Sequence, residues 1–460
     1  MKAQGRDRSR DWLGFRNPVN PVLILLILLR FLGFVGLGFA LAACGQVARA
    51  ELRAGAARVE ITPDVKAMPV PLGGYAARRG APATGVHDPV YARALVLSDG
   101  ATKVGIVSLD LCFLPANVKA EVLRRVEAAG LRGLDSAHLL LAATHTHSAP
   151  DPLAMHRGNT FTAIKGWTHF DRRLLDFTAD RIAQALVTAE GRMVPARIGS
   201  GAVALPGRNR NRRGDPVTDP ELIALKVETA EGRPLAAIVN FAAHPTLYDD
   251  RMMDISADWP GIMTGRLEQK MGAGAVCLFL NGAEGDASPN GVDDKPAGEK
   301  VAAYGEALAD AAWSLLKGLN LPSEVPLAAW MQAVTLPPRK PNALFLIAAA
   351  ELGCSLEQAK ALVAGLMPTT TQIGFVRVGD LLLMGFPCEP SGALGLAAKA
   401  AARKAGFQRP AVVALANDWL AYALTPEQYR AGKYEAGMSF YGDQFGPTLL
   451  TALQNGLQAK

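Results

Sequence analysis

The stretch that most limits what this chain can become is an apolar run ending in two histidines and stopped by prolines: His138-Leu-Leu-Leu-Ala-Ala-Thr-His145-Thr-His147-Ser-Ala-Pro150. The run reads as a buried strand. Side chains alternate along a strand, so His145 and His147 at i, i+2 point to one face. Pro150 and Asp151-Pro152 then turn the chain. Two imidazoles presented together from a strand end are a common start of a zinc site, although a pair that only bonds nearby backbone fits the same residues.

Two further runs share the design. Pro234-Leu-Ala-Ala-Ile-Val-Asn-Phe-Ala-Ala-His244-Pro245 delivers a third histidine, and Leu381-Leu-Leu-Met-Gly-Phe386 runs into Pro387-Cys-Glu389-Pro390. Two histidines and a carboxylate are a frequent catalytic zinc set that leaves room for water or substrate. The metal candidates are therefore His145 with His147, His244 and Glu389.

The intervening chain sets the fold class. Strands are expected at 91–97 and 104–111, a helix at 116–129, and then the strand that reaches His145. That is a βαβ unit, with Asp110 and His145 at the carboxyl ends of parallel strands, where open α/β sheets hold ligands. Periodicity predicts helices over 170–190, 300–316, 356–366 and 391–406, a strand over 325–336, and a hairpin from 372–378 and 381–386. The expectation is an α/β protein: mixed β-sheets with flanking helices, and a metal site at the carboxyl ends of strands.

Loops supply other candidates. Gly73-Gly74 could offer amide donors to an oxyanion, or could be a plain turn. The basic loop Arg208-Asn-Arg-Asn-Arg-Arg213 is either a solvated charge run or the source of an arginine for a carbonyl or carboxylate. Asn281-Gly-Ala-Glu-Gly-Asp-Ala-Ser288-Pro-Asn290 is dense in turn formers and is not a Gly-x-Ser-x-Gly elbow. Cys112, Cys277, Cys354 and Cys388 lack a Cys-x-x-Cys spacing, so they read as buried thiols. His156 and His169 read as loop residues.

The net charge of +6 resembles a nucleic-acid signal, but residues 1–50 alone carry seven Lys/Arg and two Asp. The remainder is near neutral and has no basic stripe, so no nucleic-acid partner is expected. Residues 1–50 have the form of an export leader: a basic segment and then Val22–Leu29 and Phe31–Ala43 around Arg30. Leu41-Ala-Ala-Cys44 resembles a lipoprotein box with Cys44 as the lipidated residue. Ala48-Arg-Ala50 is the competing cleavage site, and a retained anchor is disfavoured by Arg30. The expected product is an exported envelope protein, periplasmic or lipid-anchored, with residues 51–460 as one domain.

Taken together, Ile61-Thr-Pro63 with Leu72-Gly-Gly-Tyr75, Ala143–Ser148, Asn240–His244, Gly285–Asn290, Pro387-Cys-Glu389, and Ala421-Tyr422 with Lys433-Tyr434-Glu435 resemble the neutral (non-lysosomal) ceramidases. These are zinc amidohydrolases that cleave the amide of N-acyl-sphingoid bases. The resemblance implies Zn2+ held by His145, His244, Glu389 and Tyr422. It implies Ser288 as catalytic serine, with His147 and Tyr434 as site residues. It also implies an Asn-Arg pair at the substrate, matched by Asn211-Arg212 with Asn209-Arg210 as competitor. The resemblance implies a lipid or acyl-amide substrate; a membrane surface is expected as a partner through the leader or lipid anchor, and no protein partner is expected. Larger relatives carry a C-terminal β-sandwich for which this chain has no room after Tyr434, and residues 337–367 match nothing in the family pattern. The alternatives are a zinc esterase or deacylase on another acyl compound, and a non-catalytic lipid-binding envelope protein.

Overall fold

The computed structural model describes residues 51–160 and 167–459. The leader, Cys44 and both cleavage candidates lie outside the described residues. The eight-stranded main sheet runs, in spatial order, Val276–Asn281, Pro234–Phe241, Glu221–Thr229, Val194–Ala204, Arg53–Glu60, Tyr91–Ser98, Lys103–Leu109, Leu139–Ala143. Its two end pairs are parallel and the pairs between them antiparallel. A second sheet of Leu327–Thr335, Thr370–Val378, Leu381–Gly385 and Arg409–Val413 faces it.

Alternation along each strand builds the layers. In Leu139–Ala143, Leu139, Leu141 and Ala143 enter a core with the helices Ala116–Ala128 and Arg172–Gly191. Leu140 and Ala142 enter the core between the two sheets. The same division recurs in Val276–Asn281, whose Cys277 and Phe279 face the helices Asp258–Met271 and Ala297–Lys317. Helices Gly392–Lys404 and Phe445–Gln458 cover the outer face of the second sheet. Both faces of these strands are buried, which explains why they read as unbroken apolar runs. The result is an α/β/β/α sandwich.

The βαβ reading holds: Lys103–Leu109 and Leu139–Ala143 are parallel neighbours separated in sequence by the helix Ala116–Ala128. Asp110 has a structural role, its carboxylate accepting from Arg93 at 2.6 Å and from the Tyr91 amide at 2.9 Å. The helix over 172–191 begins where the Asp171 side chain caps the Arg173 amide. Leu356–Leu366 starts at a Ser355/Gln358 capping box. Helix Ala343–Glu351 was not among the expectations, because its eight leading residues are all apolar and show no period. His156 is half-buried and His169 exposed, both outside the site. Among the described residues, no helix is long and apolar enough to cross a membrane.

The two sheets are tied together where their strands end. Beyond Arg409–Val413 the chain continues between the two edge strands of the main sheet. Ala414 donates its amide to the Asn281 carbonyl (3.0 Å), and Ala143 donates to Leu415 (3.3 Å). Leu415, Asn417 and Ala421 adopt positive φ there, as does His145 at 76°. Non-glycine residues in this region are strained, and such residues gather at functional sites.

Candidate metal centre and active site

His145 leaves the Leu139–Ala143 strand two residues past its end, with its amide held by the Leu111 carbonyl at 2.9 Å. His244 leaves Pro234–Phe241 in the same way, its amide donated to Ala287 at 2.9 Å. Glu389 opens a short parallel pairing with Tyr422 across from it. One ligand atom from each of His145, His244 and Glu389 lies within 4.8 Å of the others, and all three side chains are buried.

The donor and acceptor pattern shows what this cluster accepts. His145 Nδ1 donates to the Cys112 carbonyl (2.5 Å) and His244 Nδ1 to the Glu284 carbonyl (2.7 Å). A carbonyl only accepts, so each Nδ1 carries the hydrogen and each Nε2 presents a lone pair. Those two nitrogens face Glu389 Oε2 at 3.3 and 3.5 Å, an oxygen that has no hydrogen-bond donor among the described residues. The other oxygen, Oε1, accepts from Trp419 Nε1 at 3.2 Å. Burial, with Arg212 and His145 nearby, lowers His244 to about 3. Three acceptor atoms turned toward one another, with no donor between them among the described residues, fit a cation. The Tyr422 hydroxyl lies 3.3 Å from His244 Nε2, beside these three atoms.

His147 stands beside this set with its Nε2 3.3 Å from His145 Nε2 and its Nδ1 unpartnered among the described residues. Burial and then the neighbouring imidazoles hold it well below its ordinary value, which favours the neutral ring. Tyr75 packs edge-on against its ring at 4.8 Å. Arg78 is buried and clamps the His147 carbonyl (2.5 Å), the Gly73 carbonyl (2.9 Å) and the Met252 carbonyl (2.8 Å), so one guanidinium fixes three segments of the wall.

The glycine pair requires a correction. The Gly73 amide is donated to the Ala149 carbonyl at 2.9 Å, so it is not available to an oxyanion. Gly74 has φ of 92°, and a Cβ there would lie 2.4 Å from His147 Cγ. Gly74 therefore makes room for the His147 ring, and of the pair it is the Gly73 amide that is excluded as an oxyanion donor.

The structure also separates the two arginines. In Asn209–Asn211, paired antiparallel with Ala287–Pro289, Arg210 stands opposite Ser288 and is exposed. Arg212, just past the strand end, turns inward: Nε to Glu435 at 2.7 Å, Nη2 to the Gly285 carbonyl at 2.9 Å and to the Tyr422 hydroxyl at 3.1 Å. Ser288 is half-buried, one residue from the backbone contact between Ala287 and His244. Tyr434 lies at the rim, 61% exposed, its ring 5.9 Å from that of Tyr422. Cys388 is buried in the apolar core beneath the second sheet.

Sequence reading missed several parts of this site. Trp419 positions Glu389 and stacks on Phe113 at 4.1 Å. Glu435 anchors both Arg212 and Arg213. Glu284 is fully buried with neither carboxyl oxygen partnered among the described residues, and burial together with Glu389 pushes its carboxyl well up. The density of polar residues in 281–290 was the available signal.

The loop after His244 returns to Asp258, which has φ of 52° and accepts from the Trp259 amide at 2.5 Å and the Tyr248 amide at 3.2 Å. Burial raises its carboxyl to about 7. An unfolded aspartate titrates near pH ~4, so the stability this group confers is full below that and is lost as pH rises through about 7. Asp258→Asn tolerates the left-handed backbone. It is expected to flatten the fall of the unfolding midpoint across that window. A variant with the parent's slope would contradict the assignment.

An α/β sandwich with a buried, strand-end cluster able to hold a metal ion defines the class of protein. The profile described as "Neutral/alkaline non-lysosomal ceramidase, N-terminal" matches residues 52–302, and the chain belongs to that family. The neutral ceramidase of Pseudomonas aeruginosa is 25% identical over 440 residues, covering 78% of this chain. Neutral ceramidase B of Dictyostelium discoideum is 30% identical over 229 residues, covering 45% of it. The chain spans 65% and 31% of the lengths of these two relatives. A ceramidase solved in complex with C2 superposes with a TM-score of 0.76 at 22% identity, covering 89% of this chain and 75% of that one. The crystal structure of the Pseudomonas aeruginosa neutral ceramidase gives 0.73, covering 89% and 74%.

Proposed function

We propose that this chain is a zinc-dependent amidohydrolase that cleaves the amide of an N-acyl lipid, ceramide being the favoured substrate, to a sphingoid base and a fatty acid. The observation that carries the reading is the acceptor-only cluster of His145, His244 and Glu389 in a chain of this family. Tyr422 completes the proposed ligand set. Residues 1–50 are proposed as the leader of an exported, periplasmic or Cys44-anchored protein, and 51–460 as the catalytic domain.

Zinc held there supplies Lewis-acid polarisation of the amide carbonyl. The remaining work falls to the chain's own groups. An oxygen nucleophile attacks the carbonyl carbon and gives up its proton: a water yields the fatty acid directly, whereas the Ser288 hydroxyl yields an acyl-serine ester that a water then hydrolyses, releasing the fatty acid and restoring the hydroxyl. His147, neutral and buried beside the cluster, receives that proton and returns it to the leaving nitrogen as the C–N bond breaks. Arg212, held by Glu435, keeps a positive charge next to Tyr422 for the developing oxyanion.

The test is metal analysis of the full chain together with hydrolysis of a fluorescent N-acyl-sphingosine before and after chelation. The expected result is one zinc per chain and cleavage that chelation abolishes and zinc restores. Zinc without amide cleavage would move the reading to another acyl substrate, and absence of zinc would overturn it. Ser288→Ala is expected to lower turnover by at least about a hundredfold with metal content unchanged. Loss of metal in that variant would end the assignment of Ser288 as a reacting group.

A further inference from the structure

Helix Ala343–Glu351 departs from ordinary helix design. Its inner face uses Phe345, Leu346 and Ala349, which join Cys354, Ala359 and Trp167 in a small cluster. Its outer face is apolar as well: Leu344 and Ile347, continued by Leu352 and Leu356, are each between 46% and 58% exposed. A helix apolar all round is normally buried, and a contiguous exposed apolar patch normally marks a binding surface.

Its position indicates what it binds. Helix Lys433–Gly437, which carries Tyr434 at the rim of the site, packs directly on it, and a Cβ at Gly437 would lie 3.3 Å from Leu344 Cβ. The patch is thus continuous with the entrance to the buried cluster. Exposed cations border the patch: Arg339 and Lys340 precede the helix, Lys433 adjoins Tyr434, and no acidic residue occurs from 337 to 350. Apolar side chains bordered by cations suit the boundary of an anionic bilayer. A second copy of this chain suits the patch less, since a self-complementary contact would bring the two basic flanks together.

We propose that Ala343–Glu351, with Leu352 and Leu356, is a membrane-contacting surface that seats the site entrance on an anionic bilayer, so that a lipid substrate passes to Tyr434 without crossing water. The transfer of substrate rests on the function proposed above; the contact itself does not. Hydrogen exchange of the full chain, read peptide by peptide with and without phosphatidylglycerol/phosphatidylcholine vesicles, tests the contact. Slowed exchange across 343–356 that depends on vesicles, and that Leu344→Glu with Ile347→Glu removes, is the expected result. A vesicle-bound chain with unchanged exchange there overturns the proposal. So does protection without vesicles that grows with protein concentration, which would identify a second copy. The double variant is also expected to lose at least about tenfold in turnover of vesicle-embedded N-acyl-sphingosine while keeping its rate on a soluble short-chain analogue. The milder Ile347→Gln should fall between the two. Equal turnover of the embedded substrate by parent and double variant counts against the proposal. If the parent cleaves neither substrate, the function fails, and the exchange result still decides the surface.

Discussion

Glu389→Gln is expected to abolish metal binding and catalysis while making the chelated protein more stable than its chelated parent. In the parent, Glu389 Oε2 faces two nitrogen lone pairs at 3.3 and 3.5 Å without a donor. A glutamine amide places N–H donors in that gap and leaves Oε1 to accept from Trp419. A newly satisfied buried acceptor contributes about 1–3 kcal/mol, so the unfolding midpoint after chelation should rise. The same substitution removes the anionic ligand. Losing several kcal/mol of carbonyl polarisation lowers the rate by about a thousandfold or more. Calorimetry with and without chelator, paired with metal analysis, checks both parts. A variant that retains metal, or that melts below the chelated parent, would show that the cluster is an ordinary polar core.

The second large effect is expected at Gly74. An alanine there meets two obstacles: a backbone φ of 92° and a Cβ only 2.4 Å from His147 Cγ. The left-handed conformation costs about 1–2 kcal/mol for a non-glycine residue. The overlap adds about 1–3 kcal/mol unless the imidazole moves. Either response harms the site, since His147 is walled in by Tyr75 and by the Arg78 clamp on its carbonyl. Gly74→Ala should therefore lower the unfolding midpoint and reduce turnover by at least about a hundredfold, with metal content retained. Gly73→Ala is the informative contrast, because a Cβ there meets Cys112 Cβ and Pro152 Cδ at 3.2 Å and the Asp151 Cα at 3.4 Å, none of them an overlap as close as the 2.4 Å at Gly74. If the two variants behave alike, the special role of Gly74 is wrong.

The strand ends were legible because burial on both faces demands apolar residues at every position, and a polar residue terminating such a run stands out. His145, His244 and Glu389 were found in this way. Tyr422, Ser288 and Arg212 are set in turn-forming or mixed segments, where one polar residue looks like the next. They became visible only when several short motifs were considered together. The choice between Arg210 and Arg212 depended on where the strand ends: Arg210 lies within it and faces solvent, while Arg212 lies just past it and turns inward to meet Glu435, a residue 223 positions further on. Trp419 and Glu284 were invisible because their work is done through contacts with chain segments distant in sequence or through their own backbone.

By itself, the sequence determined the layers of this protein and the side chains offered at its strand ends, since hydrophobic period and chain-stopping residues act locally. Only the tertiary structure decided that those ends meet, that the histidines turn lone pairs to a shared point, and that a glycine yields space to His147. Those outcomes depend on carbonyls, φ angles and distances between segments far apart in the chain, and no local pattern of residue types encodes them.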